Sequence, residues 1–185
     1  MDLGLKNRLV IVGGGSKGMG RAAARRFSLE GARVVITART PDNLAGSARE
    51  ITAESGIPVE TFATDLTTEA GRAALFSAHP AADVLVTNTG VPQRPVDYQD
   101  MSRAEWLTWF DAHFFSAIDL IHAYAPGMAE RRFGRIVNVS ASFIKFPRRT
   151  SLHTPPDLPL PGRSRHLSAR LRRTMSRSTA CCPAL

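Results

Sequence analysis

Over the first 140 residues, short apolar runs alternate with longer stretches in which apolar residues recur every three or four positions. The runs are RLVIV at 8–12, RVVITA at 33–38, VETFAT at 59–64, DVLVTN at 83–88 and RIVNVS at 135–140. Their branched residues predict strands buried on both faces of a parallel sheet. The stretches 18–30, 42–54, 67–78 and 103–131 carry the helical period. Strands and helices in strict alternation predict an α/β fold, a Rossmann-like doubly wound parallel sheet with right-handed crossovers and helices on both faces. About five strands are in place by residue 140, fewer than a complete sheet of this kind holds.

After Pro147 the pattern stops. Residues 148–185 contain no Val, Ile, Phe, Tyr or Trp, and Pro155, Pro156, Pro159 and Pro161 bar a continuous helix through their first third. A short Arg-rich helix at 163–175 is open to this segment, but disorder is the expectation. The division is therefore a dinucleotide-binding domain at 1–147 and an Arg/Pro-rich tail at 148–185.

Composition changes the picture in one respect. The net charge is +8, yet the tail alone holds eight arginines against Asp157, which leaves the body at about +1. A basic total usually suggests nucleic acid or a membrane surface. Here it reports only the tail, which lacks the aromatic residues that stack on bases, so a nucleic-acid partner ranks last. Both cysteines, Cys181 and Cys182, lie in the tail and have no metal-ligand or disulfide spacing. Neither a signal segment nor a membrane-spanning run is apparent, and the expected location is the cytoplasm.

The candidate chemistry begins at VGGGSKGMG, residues 12–20, between the first strand and the first helix. Glycines there allow a tight turn and close approach of a pyrophosphate to the helix N-terminus, whose free N–H groups and dipole favour an anion. The spacing of Gly14, Gly18 and Gly20 differs from the commoner G-x-G-x-x-G, and alone it also suits a turn without a ligand. The second strand ends in TART, 37–40, where a basic residue instead of an acid accommodates a 2′-phosphate. Arg39, with Lys17 in the loop, favours NADP(H) over NAD(H); the alternative is that Arg39 is a solvated surface charge. Ser16, Met19 and Thr40 complete the candidate binding set on these two segments.

Together with Asp65-Leu66 after the third strand, Asn88-Thr89-Gly90 after the fourth and GRIVNVS as the fifth, these motifs make residues 1–147 resemble the short-chain dehydrogenase/reductase family. The resemblance implies hydride transfer between a nicotinamide cofactor and a carbonyl or alcohol substrate. It also implies that Asp65 and Leu66 contact the adenine, that Asn88, Thr89 and Gly90 lie beside the cofactor, and that the protein forms a homo-oligomer. Such enzymes use Tyr, Lys, Ser and Asn. The Tyr gives or takes the proton, the Lys lowers its pKa and holds the ribose, the Ser orients the substrate oxygen and the Asn supports a water relay.

This chain departs at each of those places. Seven residues past Trp106, where the Asn belongs, stands His113, suited equally to a proton relay or to a helix interior. The catalytic Ser position holds Ala141, flanked by Ser140 and Ser142, either of which substitutes only where the strand has ended or bulged. No Tyr follows Tyr124 and no Lys follows Lys145, so the Tyr-xxx-Lys pair is missing. The substrate pocket keeps one wall at 91–100, and the helix at 103–131 is expected to expose Trp106, Trp109, Phe110, Phe114 and Phe115.

The foreign composition of the tail suggests a frameshift between about Phe146 and Thr150. Shifting the reading frame from Thr174-Met175 permits D-V-T-V-N-G-L-L-P-G, similar to the family's sixth strand and its turn. Three functions are carried forward: an NADP(H)-dependent oxidoreductase by lineage that lacks its acid/base pair, a non-catalytic NADP(H)-binding pseudo-enzyme, and a basic-tailed nucleic-acid binder.

Overall fold

The computed structural model describes residues 3–89 and 101–139. The chain divides into two units, one made of Met1–Gln93 and Arg103–Val139 and the other of Arg94–Ser102 and Ser140–Leu185. Only the first is described at length. The expected boundary at residue 147, the tail, and Gly90, Ser140 and Ser142 all lie outside the described residues.

Five strands, β1 Leu9–Gly13, β2 Arg33–Ala38, β3 Glu60–Ala63, β4 Val84–Thr87 and β5 Arg135–Asn138, form one sheet in the order β3-β2-β1-β4-β5. Every pairing is parallel. The intervening helices are α1 Gly18–Leu29, α2 Pro41–Ser55, α3 Glu69–Ala78, α4 Arg103–Phe110 and α5 Ser116–Glu130, with a π-helical turn, Asp111–Phe115, joining the last two. The expected α/β class and doubly wound parallel sheet are what the chain adopts.

Alternation along each strand separates two cores. In β1, Val10 and Val12 face the same way as Val34, Ile36, Val84 and Val86, and meet Ala24 of α1 and Leu44, Ala48 and Ile51 of α2. Ile11, in register with Val35 and Leu85, faces the other way, toward Leu75 of α3 and Leu120, Tyr124 and Met128 of α5. Full burial of one such side chain contributes ~1.5–3 kcal/mol, and a strand with both faces covered has no place for a polar alternation. The edges differ from the expectation of uniformly buried strands. Only Phe62 of β3 and Ile136 of β5 are even half-buried, and among the described residues each of these strands has a neighbour on one side only. Val137 shares a face with Val86 yet remains 46% exposed.

The predicted helix at 103–131 is interrupted rather than regular. The backbone N–H of Ser116 donates to the Asp111 carbonyl, five residues back, and the Ala112 carbonyl accepts 2.7 Å from Ser116 Oγ. Phe110, Phe114 and Phe115 are exposed as expected, while Trp106 and Trp109 are half-buried.

Tyr124 anchors α5. Its ring is fully buried edge-on to Phe76, and its hydroxyl donates to the His79 carbonyl at 2.8 Å. Burial pushes the phenol pKa well above its ordinary value, because the phenolate would lose its water. A raised folded-state pKa means that the contribution of Tyr124 is complete below the unfolded value, ~10, and is lost as pH rises above it. Urea unfolding should therefore show stability falling above about pH 10. Tyr124→Phe should flatten part of that fall and cost ~1 kcal/mol at neutral pH through the lost hydrogen bond. An identical alkaline slope in the variant would remove Tyr124 from this account.

Candidate functional site

The strand order reverses between β1 and β4, and ligands of open α/β sheets bind at such a switch point, outside the C-terminal ends of the strands. A cleft of about 310 Å³ opens there. Gly14, Ser16, Lys17 and Met19 line it from the turn after β1, Arg39 and Thr40 from the end of β2, Asp65 and Leu66 after β3, and Asn88 and Thr89 after β4. These are the sequence candidates, collected from four separate segments into one concavity. Gly18 and Gly20 support the cleft without lining it, and Gly90 is beyond the described residues.

Each loop glycine answers a separate local demand. Gly14 has φ +61°, and a Cβ there would lie 2.7 Å from Asn88 Nδ2. At Gly20 a Cβ would fall 2.2 Å from the Gly14 carbonyl oxygen. Of the glycines in this loop, Gly18 alone combines a positive φ, +57°, with open space around it. Of the two demands read from the sequence, a tight turn and room for a pyrophosphate, these contacts account for the turn.

Two side chains fasten that turn. Asn88 Nδ2 donates to the Gly13 carbonyl at 3.1 Å, tying the end of β4 to that of β1. Ser47 Oγ of α2 donates to the Ser16 carbonyl at 2.7 Å. The α1 N-cap residue, Lys17, makes no capping hydrogen bond through its side chain, so the first-turn N–H groups receive no side-chain acceptor there. Uncapped N–H groups at a helix N-terminus are chemically suited to an anion.

The cleft's charged lining is Lys17, Arg39 and Asp65. Among the described residues no salt bridge occupies either cation, and both are exposed. Asp65 Oδ1 accepts from Thr67 N at 3.0 Å and Thr67 Oγ1 at 2.8 Å, so part of this carboxylate shapes its own turn. Leu66 is 6% exposed and belongs largely to the α3–α5 core. Thr37, Asn43, Thr64 and Thr67 also line the cleft and were not foreseen. Thr37 is the most informative of them: wholly buried, its Oγ1 has no hydrogen-bond partner among the described residues. A buried hydroxyl left without a partner is costly. Its signal was its place in TART, two residues before Arg39.

His113 lies on the π-helical turn, half-buried and stacked on Trp109 with ring centroids 5.0 Å apart. Thr89 Oγ1, at the cleft, donates to the carbonyl of the adjacent Ala112, which joins this turn to the end of β4. π-turns recur at functional sites because the extra residue re-aims side chains. Among the described residues no group of acids, His or Cys is arranged to hold a metal, and no helix is long and apolar enough to cross a membrane.

Comparison with known proteins agrees with this geometry. A family model described as short chain dehydrogenase matches residues 8–150. An uncharacterized oxidoreductase of Bacillus subtilis, YvaG, is 30% identical over 154 residues, covering 83% of this chain and 58% of its own length. The L-sorbose reductase of Gluconobacter frateurii, solved with NADPH and L-sorbose, superposes with a TM-score of 0.75 at 27% identity, covering 83% of this chain and 59% of that one. A metagenomic short-chain oxidoreductase in complex with NADP gives 0.73 at 35% identity, covering 80% of this chain and 69% of the other. The chain spans about half the length of the curated relatives it matches.

Proposed function

Because the chain belongs to the short chain dehydrogenase family, we propose that its cleft is an NADP(H) site and that this chain holds the cofactor without turning over a carbonyl or alcohol. The observation that carries the reading is the meeting of the α1 N-terminus, Lys17 and Arg39 around one cleft at the switch point of the sheet. An elongated ligand with a pyrophosphate, a second phosphate and hydroxyl groups fits that set of donors and charges. When bound, the cofactor supplies or accepts the hydride.

The residues divide the binding between them. First-turn N–H groups of α1 face the pyrophosphate, aided by the freedom of Gly18, while Ser16 and Met19 border it. Lys17, Arg39 and Thr40 take the 2′-phosphate. Asp65 and Leu66 wall the adenine, and Asn88, Thr89 and Gly90 flank the path toward the nicotinamide. His113, Ser140 and Ser142 are the groups proposed nearest the reacting carbon. None replaces a Tyr activated by a Lys, a pair that the sequence lacks beyond Tyr124 and Lys145. A homo-oligomer belongs to this reading, with Leu107, Phe110, Phe114 and Phe115 as apolar surface for it to cover.

Titrating the full chain with NADPH and following its fluorescence should show saturable binding. Adding a panel of aldehydes and ketones should then give no oxidation above the uncatalysed rate, since a positioned acid contributes ~10²–10⁴-fold. Carbonyl-dependent oxidation would show that His113 or a serine serves after all. Absence of NADPH binding would overturn the cofactor assignment itself.

A further inference from the structure

Arg72 is an anomaly in the hydrophobic face of α3. It is 8% exposed and buried on the side of the sheet that also carries Leu75 and Tyr124. A buried guanidinium is costly unless it is paired and hydrogen-bonded, so its partners indicate what holds it there. One nitrogen, NH1, donates to the Leu66 carbonyl at 3.0 Å. The other, NH2, lies 2.7 Å from Asp119 Oδ2 on α5. The fork thus spans from the Asp65-Leu66 turn, a wall of the cleft, to the helix that continues from the π-turn bearing His113.

Apart from the Thr64 N–H, which donates to the Ala38 carbonyl of β2, the turn's other described hydrogen bonds are local. Thr68 caps α3 by accepting from Gly71 N at 3.1 Å and donates from its hydroxyl to the Asp65 carbonyl at 2.9 Å. Thr64 Oγ1 donates to the Gly71 carbonyl at 3.0 Å, and a Cβ at Gly71 would lie 2.1 Å from the Asp65 carbonyl oxygen. These contacts fix the turn to the start of α3. Leu66 is buried in the core that also holds Leu120 and Tyr124 of α5, and among the hydrogen bonds and ion pairs described for this turn only those of Arg72 reach across to that helix. The rigid planar fork of Arg72 can bond two acceptors at a fixed separation, which a lysine ammonium cannot reproduce.

We propose that Arg72, braced by Asp119, is a positioning residue for the adenine side of the cleft. It holds the Leu66 carbonyl, and with it the Asp65-Leu66 wall, at a fixed place relative to α5. The inference rests on the cofactor reading, and it predicts an effect confined to one half of the dinucleotide. Loss of Arg72 loosens the adenine wall and leaves the glycine loop and Asn88 untouched.

The test uses the full chain and two probes, 2′,5′-ADP for the adenine half and reduced nicotinamide mononucleotide for the other, each titrated calorimetrically. Arg72→Met should weaken 2′,5′-ADP about tenfold while changing the reduced mononucleotide less than about twofold. Arg72→Lys and Asp119→Asn should fall between wild type and Arg72→Met, and they carry the test should Arg72→Met fail to fold. Combining Arg72→Lys with Asp119→Asn should cost less than the two separate losses together, as for residues of one network. Equal weakening of both probes, or unchanged 2′,5′-ADP binding in folded variants, overturns the proposal alone. Failure of the wild-type chain to bind 2′,5′-ADP overturns the cofactor reading and this proposal together.

Discussion

Gly20→Ala should abolish NADPH binding and lower stability by about 3 kcal/mol, at the upper end of what overpacking usually costs. The added methyl group would stand 2.2 Å from the Gly14 carbonyl oxygen and 2.8 Å from Asn88 Nδ2. Both obstacles are rigid: the first is backbone, and the second is held by its hydrogen bond to the Gly13 carbonyl. Relief requires α1 to move away from the β1 turn. That movement takes the helix N-terminus off the cleft, so stability and binding fail together. Gly18→Ala is the matched control, since its Cβ would meet nothing within 4 Å and only the left-handed backbone, φ +57°, penalises it. It should cost ~1–2 kcal/mol and retain measurable binding. Urea unfolding and NADPH titration of the two variants decide the matter. A Gly20→Ala chain that binds NADPH as the wild type does would show that the helix and the turn are not coupled in this way.

The glycine pair shows what was legible in the sequence and what was not. Periodicity exposed the strands, because β1, β2 and β4 are covered on both faces and carry unbroken branched runs. It could not distinguish Val86 from its register partner Val137, one buried and the other exposed, because that depends on what lies beside each strand. Glycine spacing located the turn, but the reason for Gly14 resides in Asn88, distant in the sequence, and that for Gly20 in the Gly14 carbonyl together with Asn88. The π-turn left no periodic trace, since one additional residue within a helix scarcely alters an apolar pattern. Nothing in the sequence marks Arg72 as buried, because its partner Asp119 is supplied by a different helix. The cleft residues were more accessible because an open parallel sheet places the residues after each strand on one edge; the end of the second strand nominated Arg39, and the family resemblance nominated Asp65 and Asn88.

Arg39→Asp should reverse the proposed cofactor preference, lowering the ratio of NADPH to NADH affinity about a hundredfold. The position ends β2, where a cation meets a 2′-phosphate and a carboxylate accepts from a ribose 2′-hydroxyl. Removing the guanidinium forfeits a charge-assisted hydrogen bond worth ~1.5–3 kcal/mol, a factor of ~10–150. The introduced carboxylate then repels the phosphate and gives NADH an acceptor, so the two affinities move in opposite directions. Arg39 is exposed, and its contribution is accordingly screened by salt. The wild-type ratio should fall as ionic strength rises, whereas the ratio of the variant should climb toward it as repulsion is screened. Lys17→Ala should weaken NADPH more modestly without favouring NADH, because it removes a cation and installs no acceptor. Should Arg39→Asp leave the ratio where it was at low salt, Arg39 is the solvated surface charge of the alternative reading. The discrimination would then have to come from Lys17 and Thr40.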